Sequence, residues 1–209
     1  ISALVLMQLA FPGAPVFHSN LISLMHPRTD GYVGEVGVPL SGMAVQMAHA
    51  WNVPSLGGGS VSSDAPEIGW ESGSDTGMGA ALVPLYGGEV CGYMGLLDGS
   101  MVLYPEQVIL DHENCQRAFD LLHGFDFDAR DMALDVIKDV GPRSHYLKHK
   151  HTRKHIRDLR LSRITGQKGE HGRLRDPRKE ALDEFKYISQ THHPKPLPKE
   201  ALTEKYHEL

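Results

Sequence analysis

An acidic, glycine-rich loop in the first half of the chain carries side chains that could take part in chemistry. Three consecutive glycines at positions 57–59 leave the backbone bare, so a ligand or a neighbouring segment can approach it closely. Glu67 and Glu71 follow, four residues apart, and they share one face if the segment is helical. Such a pair can bind a cation or move protons, and an ordinary solvated helix face is the alternative.

Asp64 has the spacing of a helix cap. It lies three residues before Glu67, and Pro66 stands between them in what would be the first helical turn. This is the arrangement of an N-cap residue with its capping box. We therefore predict that Asp64 begins a helix, with catalysis as the alternative role.

Aromatic and imidazole side chains supply further candidates near predicted strand ends. Phe17 and His18 end the first predicted strand, Tyr93 lies in the third, and Trp70 follows the loop. Aromatic faces attract cations, with about 0.5–2 kcal/mol per ring. Core packing is the alternative for the three aromatic rings, and a satisfied buried histidine is the alternative for His18.

The elements that must position these residues alternate between strand and helix. Strands are predicted at 14–18, 53–58 and 90–95, and helices at 39–51, 68–86, 105–123, around 132–140 and at 181–187. This order indicates an α/β fold of parallel βα units with right-handed crossovers. Three units cannot close an eight-stranded barrel, and a doubly wound sheet also agrees with the pattern. In both folds ligands bind where strands end, which is where the glycine-rich loop begins.

The helix predicted at 105–123 has a clear division between apolar and charged positions. We expect its inner side to carry Val108, Ile109, Phe119 and Leu122, and its outer side to carry Asp111, Glu113 and Arg117.

Bulk composition is that of a globular protein. The chain has 209 residues, of which 41% are hydrophobic, so it can bury a core. Cys91 and Cys115 provide neither a disulfide framework nor a zinc set, which suits a reducing cytoplasm. The apolar start, residues 1–11, is too short to span a bilayer. Because the chain opens at Ile1, inside an apparent helix, we expect a fragment of a longer protein.

Charge divides the chain into an acidic part and a basic one. Residues 1–142 hold 4 Lys and Arg against 17 Asp and Glu, whereas residues 143–180 hold 13 against 4. We take 1–142 as a folded domain and 143–209 as a basic, helical extension. Four histidines of the extension lie close together in the sequence, at 145, 149, 151 and 155, but the surrounding positive charge opposes a metal ion. Support for nucleic-acid binding by this run is weak, and we favour a surface that binds a protein partner or another subunit.

Several segments together resemble one family. They are the run from Gly57 to Glu71, with its Ser-Asp-Ala element and its Gly69-Trp70-Glu71 ending, then Pro12-Gly13-Ala14-Pro15-Val16, Pro27-Arg28-Thr29-Asp30-Gly31, Asn52-Val53-Pro54, Val136-Ile137, Val140-Gly141-Pro142, and the set Tyr146, Leu147, His151, Thr152, His155 and Arg157. To about residue 160 this ordered set resembles the trimethylamine methyltransferase family, whose members move a methyl group from a methylated amine to a corrinoid protein.

The resemblance implies the C-terminal part of a (β/α)8 barrel of the TIM type, followed by the basic tail. Some members of the family carry pyrrolysine in the loop described above. That position falls near Pro66 here, with Glu67 where those members have an amide, and the printed sequence contains no pyrrolysine. The resemblance therefore favours the members that use quaternary amines of the betaine type.

These considerations lead to specific roles. We predict catalytic roles for Glu71, Glu67 and His18, and substrate binding by Phe17, Trp70, Tyr93, Gly58, Gly59 and Asp64. No metal site is predicted. The corrinoid is expected on a partner protein rather than bound directly, and the other partners are a small methylated amine and further copies of the chain, with no nucleic acid and no membrane. Two alternatives are a non-catalytic module that binds an anion or a partner, and a degenerate, truncated homologue with a structural role.

Overall fold

The computed structural model of the chain describes residues 2–19, 21–29, 31–33, 37–57, 61–124, 132–159 and 161–195. The helices within these ranges are α1 (Ser2–Ala10), α2 (Gly37–Ala50), α3 (Trp70–Leu85), α4 (Pro105–His123), α5 (Leu134–Val140), α6 (Lys150–His155) and α7 (Pro177–Thr191). The strands are β1 (His18–Ser19), β2 (Leu24–Met25), β3 (Tyr32–Val33), β4 (Ser55–Gly57), β5 (Val90–Cys91), β6 (Leu96–Leu97) and β7 (Val102–Leu103). None of these helices is long and apolar enough to cross a membrane.

The three predicted strands form one parallel sheet with the order β1-β4-β5. His18 pairs with Ser55, and Leu56 pairs with Val90, so each strand lies beside the next one predicted along the chain. The prediction of parallel neighbours is confirmed, although each strand is only two or three residues long. In the part of the chain that the structure describes, this sheet is open and does not close into a barrel. Two antiparallel hairpins, β2-β3 and β6-β7, were not predicted.

A close contact between β4 and α3 sets the distance between the sheet and its helical layer. A Cβ atom on Gly57 would lie 2.6 Å from Cγ1 of Val83, which is almost fully buried. The missing side chain therefore allows α3 to pack directly on the strand. At Gly57 the bare backbone therefore allows contact with a neighbouring segment of the chain, helix α3.

Helix α4 has the predicted bounds but buries a different face. It begins with Pro105 at its first position and ends at Gly124, whose φ is +63°. Its buried residues are Glu106, Gln107, Asp111, Cys115 and Ala118. The predicted inward face is wrong, because Phe119 and Leu122 are 47% and 37% exposed while Asp111 is fully buried. Asp111 faces inward because it accepts a hydrogen bond from the backbone N–H of Gly95, which hydropathy cannot reveal.

The C-terminal extension packs on α4 through α7. This helix is longer than predicted and has Asp176 as its N-cap, whose side chain accepts from the N–H of Arg178 at 3.0 Å. The guanidinium of Arg178 reaches the buried carboxylate of Glu106 at 3.1 Å and lies over the ring of Tyr104. Ala181 is fully buried in the same contact region. Charged and apolar contacts thus join α4 and α7.

A second carboxylate orders the beginning of the strands. Glu89 accepts the backbone N–H of Ser55 at 2.7 Å and lies 2.9 Å from Nε2 of His49. The backbone N–H of Glu89 donates in turn to the carbonyl of Ser55. These bonds join the end of α2 to the starts of β4 and β5. The Ser55 N–H is the main cause that holds the pKa of Glu89 below its usual value.

Candidate functional site

Two segments meet beyond the C-terminal ends of β4 and β5. We call them loop 61–66 and turn 92–98. They run side by side and are joined by backbone hydrogen bonds from Val61 N–H to Gly92 O (3.2 Å), from Ser63 N–H to Leu96 O (3.1 Å) and from Asp98 N–H to Ala65 O (2.9 Å). The end of each parallel strand is where α/β proteins place their ligands, so this pair of segments is the candidate site.

The side chain of Ser63 fixes the inside of loop 61–66. Ser63 is buried, and its hydroxyl donates to the carboxylate of Asp75 on α3. The same oxygen accepts the backbone N–H of Ala65 at 3.0 Å. The hydroxyl oxygen of Tyr104, just before α4, lies 3.2 Å from the carbonyl of Pro66. Loop 61–66 is therefore anchored to α3, to turn 92–98 and to the start of α4.

The helix after this loop begins later than predicted. Because loop 61–66 is extended and bonded to turn 92–98, α3 starts only at Trp70, with Gly69 as its N-cap. The backbone N–H of Gly69 donates to the hydroxyl of Ser72 at 3.0 Å, and that hydroxyl donates to the carbonyl of Gly69 at 3.1 Å. The prediction that Asp64 caps the helix is wrong. Asp64 lies half-buried within the loop itself.

Asp111 on α4 is the buried carboxylate beneath turn 92–98. Its Oδ2 accepts the backbone N–H of Gly95 at 2.8 Å, and its Oδ1 accepts the side-chain amide of Gln107 at 2.7 Å. Burial raises the pKa of Asp111 to about 6, although the hydrogen bonds from Gly95, Gln107 and Thr76 oppose the rise. The result is a carboxylate surrounded by donors and closed off from solvent.

Turn 92–98 lies directly against α4 at Gly95. The φ of Gly95 is +82°, and a Cβ atom there would lie 2.4 Å from Cγ2 of Val108. Only glycine allows this conformation and this contact without strain. Sequence reasoning missed Asp111, but a signal existed. That signal is their spacing: Gln107, Asp111, Cys115 and Ala118 are separated by four, four and three residues, which places them on one helix face.

The structure brings part of the predicted site together. Asp64 lies in loop 61–66 and Tyr93 lies in turn 92–98, so the hydrogen-bonded pair of segments carries both. Tyr93 is half-buried and has a φ of +74°, a conformation that is unusual outside glycine. Gly58 and Gly59 lie outside the described residues.

The prediction that Phe17 and His18 end the first strand is wrong, because β1 begins at His18 and Phe17 precedes it. The His18 ring packs edge-on against Trp51 with 5.7 Å between centroids, and its Nδ1 is buried without a hydrogen-bond partner among the described residues. Trp51 precedes β4, so this contact lies towards the beginning of that strand rather than its end. Phe17 is 58% exposed. The ring contact on Trp51 is of the kind expected for a packed histidine.

Three predicted site residues lie in or next to the exposed first turn of α3. Trp70 is its first residue and leaves 90% of its surface exposed, and Glu71 is also exposed. Glu67 is exposed in the segment that leads into the helix. Since α3 begins at Trp70, Glu67 and Glu71 do not lie four residues apart within one helix.

The extension contributes a groove of its own. It has a volume of about 570 Å3 and lies between α4, Leu159 with residues 161–164, and α7. Ile109, Leu161 and Ile188 supply apolar lining, and Glu113 and Glu184 supply carboxylates. This groove was not predicted, and it is built from the helix faces that join the extension to α4.

Two of the four clustered histidines, His149 and His155, are paired with carboxylates. Nε2 of His149 lies 3.2 Å from Asp139, and Nδ1 of His155 lies 3.1 Å from Asp158. The rings of His151 and His155 are 4.6 Å apart. Within the described ranges, no group of three or more His, Cys, Asp or Glu side chains is arranged to hold a metal ion.

Comparison with known proteins identifies the class to which this fold and loop belong. Residues 1–159 match the family described as trimethylamine methyltransferase (MTTB). This match covers most of the chain, and the chain therefore belongs to the trimethylamine methyltransferase family.

Individual relatives agree with this membership. The chain is 31% identical over 148 residues to a glycine betaine methyltransferase of Desulfitobacterium hafniense (strain Y51), and the aligned region covers 68% of this chain and 30% of the relative. It is 26% identical over 207 residues to the trimethylamine methyltransferase MttB of D. hafniense (strain DSM 10664 / DCB-2), covering 95% and 41%. It is 27% identical over 206 residues to an L-carnitine:corrinoid methyltransferase of Eubacterium limosum, covering 88% and 40%. The chain thus spans less than half the length of these relatives.

Proposed function

We propose that the protein acts as a methyltransferase that moves a methyl group from a quaternary amine of the betaine type to a corrinoid on a separate protein. The observation that carries the proposal is the family match over residues 1–159, together with relatives named for glycine betaine and L-carnitine. The absence of pyrrolysine from the printed sequence favours a quaternary amine over trimethylamine.

The parallel sheet supports the position of the site. We propose that β1, β4 and β5 belong to a (β/α)8 barrel in which ligands bind at the C-terminal ends of the strands. Loop 61–66 and turn 92–98 follow two of these strands. Asp64 and Tyr93 offer a carboxylate and an aromatic face there, which are the groups that a quaternary ammonium requires.

The proposed chemistry needs little from acid–base groups. A quaternary nitrogen already carries a positive charge, so when the C–N bond breaks its electron pair stays on nitrogen and a neutral tertiary amine leaves. The corrinoid on the partner protein supplies the methyl-accepting nucleophile when it is bound. The residues of this chain would bind the cation, turn one methyl group towards the acceptor and keep the other groups aside. In this proposal Glu67, Glu71 and His18 contribute charge and orientation rather than an obligatory proton transfer.

The test is an assay of corrinoid methylation with glycine betaine, L-carnitine and trimethylamine, each with a reduced corrinoid protein. We expect methylation with a betaine-type amine. Methylation with trimethylamine alone would contradict the substrate class. No methylation with any amine, while the chain stays folded, would favour the binding module or the degenerate homologue.

Variants at the aromatic rings sharpen this test. Tyr93→Ala and Trp70→Ala should each weaken binding of the amine by about 1–2 kcal/mol if the ring contacts the cation. Tyr93→Phe keeps a ring and is the matched control, which should bind like the parent. Met101→Ala, at a side chain that is 81% exposed after turn 92–98, controls for loss of surface apolar area.

A further inference from the structure

We infer that Asp111 is a positioning residue that holds turn 92–98, and through it loop 61–66, in the arrangement that binds the ligand. This inference rests on the proposed function where it concerns the ligand. Asp111 itself is fully buried on α4 and faces away from solvent. It therefore acts on the site through the backbone.

The first link runs from the carboxylate to Gly95. Asp111 accepts the Gly95 N–H at 2.8 Å, and the backbone N–H of Tyr104 donates to the Gly95 carbonyl at 2.9 Å. Residue 95 is thus held at both its N–H and its carbonyl by the first turns of α4 and the residue before them. Its positive φ and its contact with Val108 leave the turn no other position against the helix.

The second link runs from the turn to the loop. Three backbone hydrogen bonds join the two segments, at Val61, at Ser63 and at Asp98. They lie on both sides of Gly95 along the turn, so a shift of Gly95 displaces loop 61–66. Tyr93, two residues before Gly95, moves with the same turn.

The chemistry of the surroundings indicates why a carboxylate stands here. Gly95, Gln107 and Thr76 all donate towards Asp111, and an apolar side chain would leave these donors unpaired in a buried place. Oε1 of Gln107 is buried and has no hydrogen-bond partner in the described part of the chain. Rotation of the Gln107 amide would turn this oxygen towards residue 111 and give a neutral amide there an acceptor.

This arrangement defines a pair of variants with different outcomes. Asp111→Asn keeps an acceptor for Gly95 N–H and can donate to Gln107, so it should fold. Asp111→Leu removes every acceptor while keeping the same branched arrangement of heavy atoms, with bulkier methyl groups in place of the oxygens. Ala48→Gly, at a fully buried site on α2, is the control that weakens the fold away from the turn.

The measurement is amide hydrogen exchange of the whole chain, with each variant corrected for its change in global stability. We expect exchange at Gly95, Val61, Ser63 and Asp98 to speed up about fivefold in Asp111→Asn, because a neutral acceptor is weaker than a carboxylate. In Asp111→Leu the increase should be about 10- to 100-fold. Unchanged exchange at these amides in Asp111→Asn, or the same change in Ala48→Gly, would overturn the inference. This holds even if the leucine variant does not fold.

Titration of the same proteins with glycine betaine separates this inference from the proposed function. We expect the affinity to fall in parallel with the loosening of loop 61–66, and to recover in Asp111→Glu only if the longer carboxylate again protects Gly95. If the amides loosen in the Asp111 variants but the parent binds no quaternary amine, the positioning of the loop is supported and the proposed function is contradicted. Undiminished betaine affinity in a variant with loosened amides would overturn the role of Asp111 in binding.

Discussion

The carboxylate of Glu113 accepts the hydroxyl of Ser162 at 2.6 Å, and this bond joins α4 to a segment that follows 49 residues later. The same carboxylate accepts the backbone N–H groups of Arg163 and Ile164, both at 2.8 Å, and the hydroxyl of Thr165 at 2.9 Å. A single side chain therefore orders the turn at 162–165. Although burial opposes it, hydrogen bonding by this turn holds the pKa of Glu113 below its usual value.

Glu113→Ala should release the turn at 162–165. We expect the free energy of unfolding to fall by about 2–4 kcal/mol, because several donors lose one shared acceptor. Trypsin cleavage at Arg163, whose side chain is 83% exposed, should become faster. Arg117→Ala is the comparison, since it removes a side chain that is 59% exposed, lies 3.8 Å from Glu113 and donates only to the hydroxyl of Thr165 in this turn, and it should cost less than about 1 kcal/mol. Equal effects of the two substitutions would contradict this role of Glu113.

Arg178→Ala should weaken the docking of α7 on α4. The Glu106 side chain is only 8% exposed, so removal of Arg178 leaves a carboxylate buried without its charged partner. We expect a loss of about 1–3 kcal/mol in urea unfolding. Arg175→Ala breaks the more exposed pair with Glu180 and should cost less than about 1 kcal/mol. The interpretation fails if Arg175→Ala is as destabilising as Arg178→Ala.

Gly57→Ala should destabilise the sheet because its methyl group would overlap Val83. We expect a cost of about 1–3 kcal/mol in thermal or urea unfolding. Adding Val83→Ala should restore part of that loss, since the second change removes the methyl groups in contact. In the control Gly73→Ala nothing lies within 4 Å, and the substitution should stabilise α3 by up to about 1 kcal/mol. No rescue by the double substitution would show that the overlap is not the cause.

Asp111 should make stability depend on pH in a defined direction. Because its pKa is raised to about 6, the folded chain holds this proton more tightly than the unfolded chain, so the contribution of this carboxyl to folding stability increases as the pH falls from 7 towards 4. Relative to Asp111→Asn, the parent should gain up to about 3 kcal/mol over this range. The neighbouring thiol of Cys115 stays neutral there, since burial raises its pKa to about 11. Urea unfolding at a series of pH values measures the difference, and a constant difference would refute the assignment.

Local patterns in the sequence were sufficient to predict the bounds of α4 and the pairing of the three parallel strands. The bounds of α4 follow from Pro105 at its start and Gly124 after its end, and both signals are local. The three parallel strands were predicted from short apolar runs between helices, and their pairing agrees. Their short length could not be predicted, because the runs do not show where inter-strand hydrogen bonds stop.

The features that were mispredicted depend on partners far away in the chain. Asp111 was expected outside, but its acceptor role for Gly95, 16 residues earlier, places it inside. Asp64 was expected to cap α3, but the pairing of loop 61–66 with turn 92–98 takes up the backbone groups that a helix would need. For the predicted site residues, the sequence revealed neither the position of His18 relative to its strand nor the exposure of Trp70.

The hydrogen bonds of Glu89 with His49 and Ser55 have a consequence for how the family can vary. They fix the alignment of β4 and β5 at the starts of the strands, away from loop 61–66 and turn 92–98 at the opposite ends. If loop 61–66 and turn 92–98 contact the ligand as proposed, strand alignment and ligand contact depend on separate residues. We then expect exchange of the segments after Gly57 and Cys91 between relatives named for different amines to alter specificity while the sheet keeps its register.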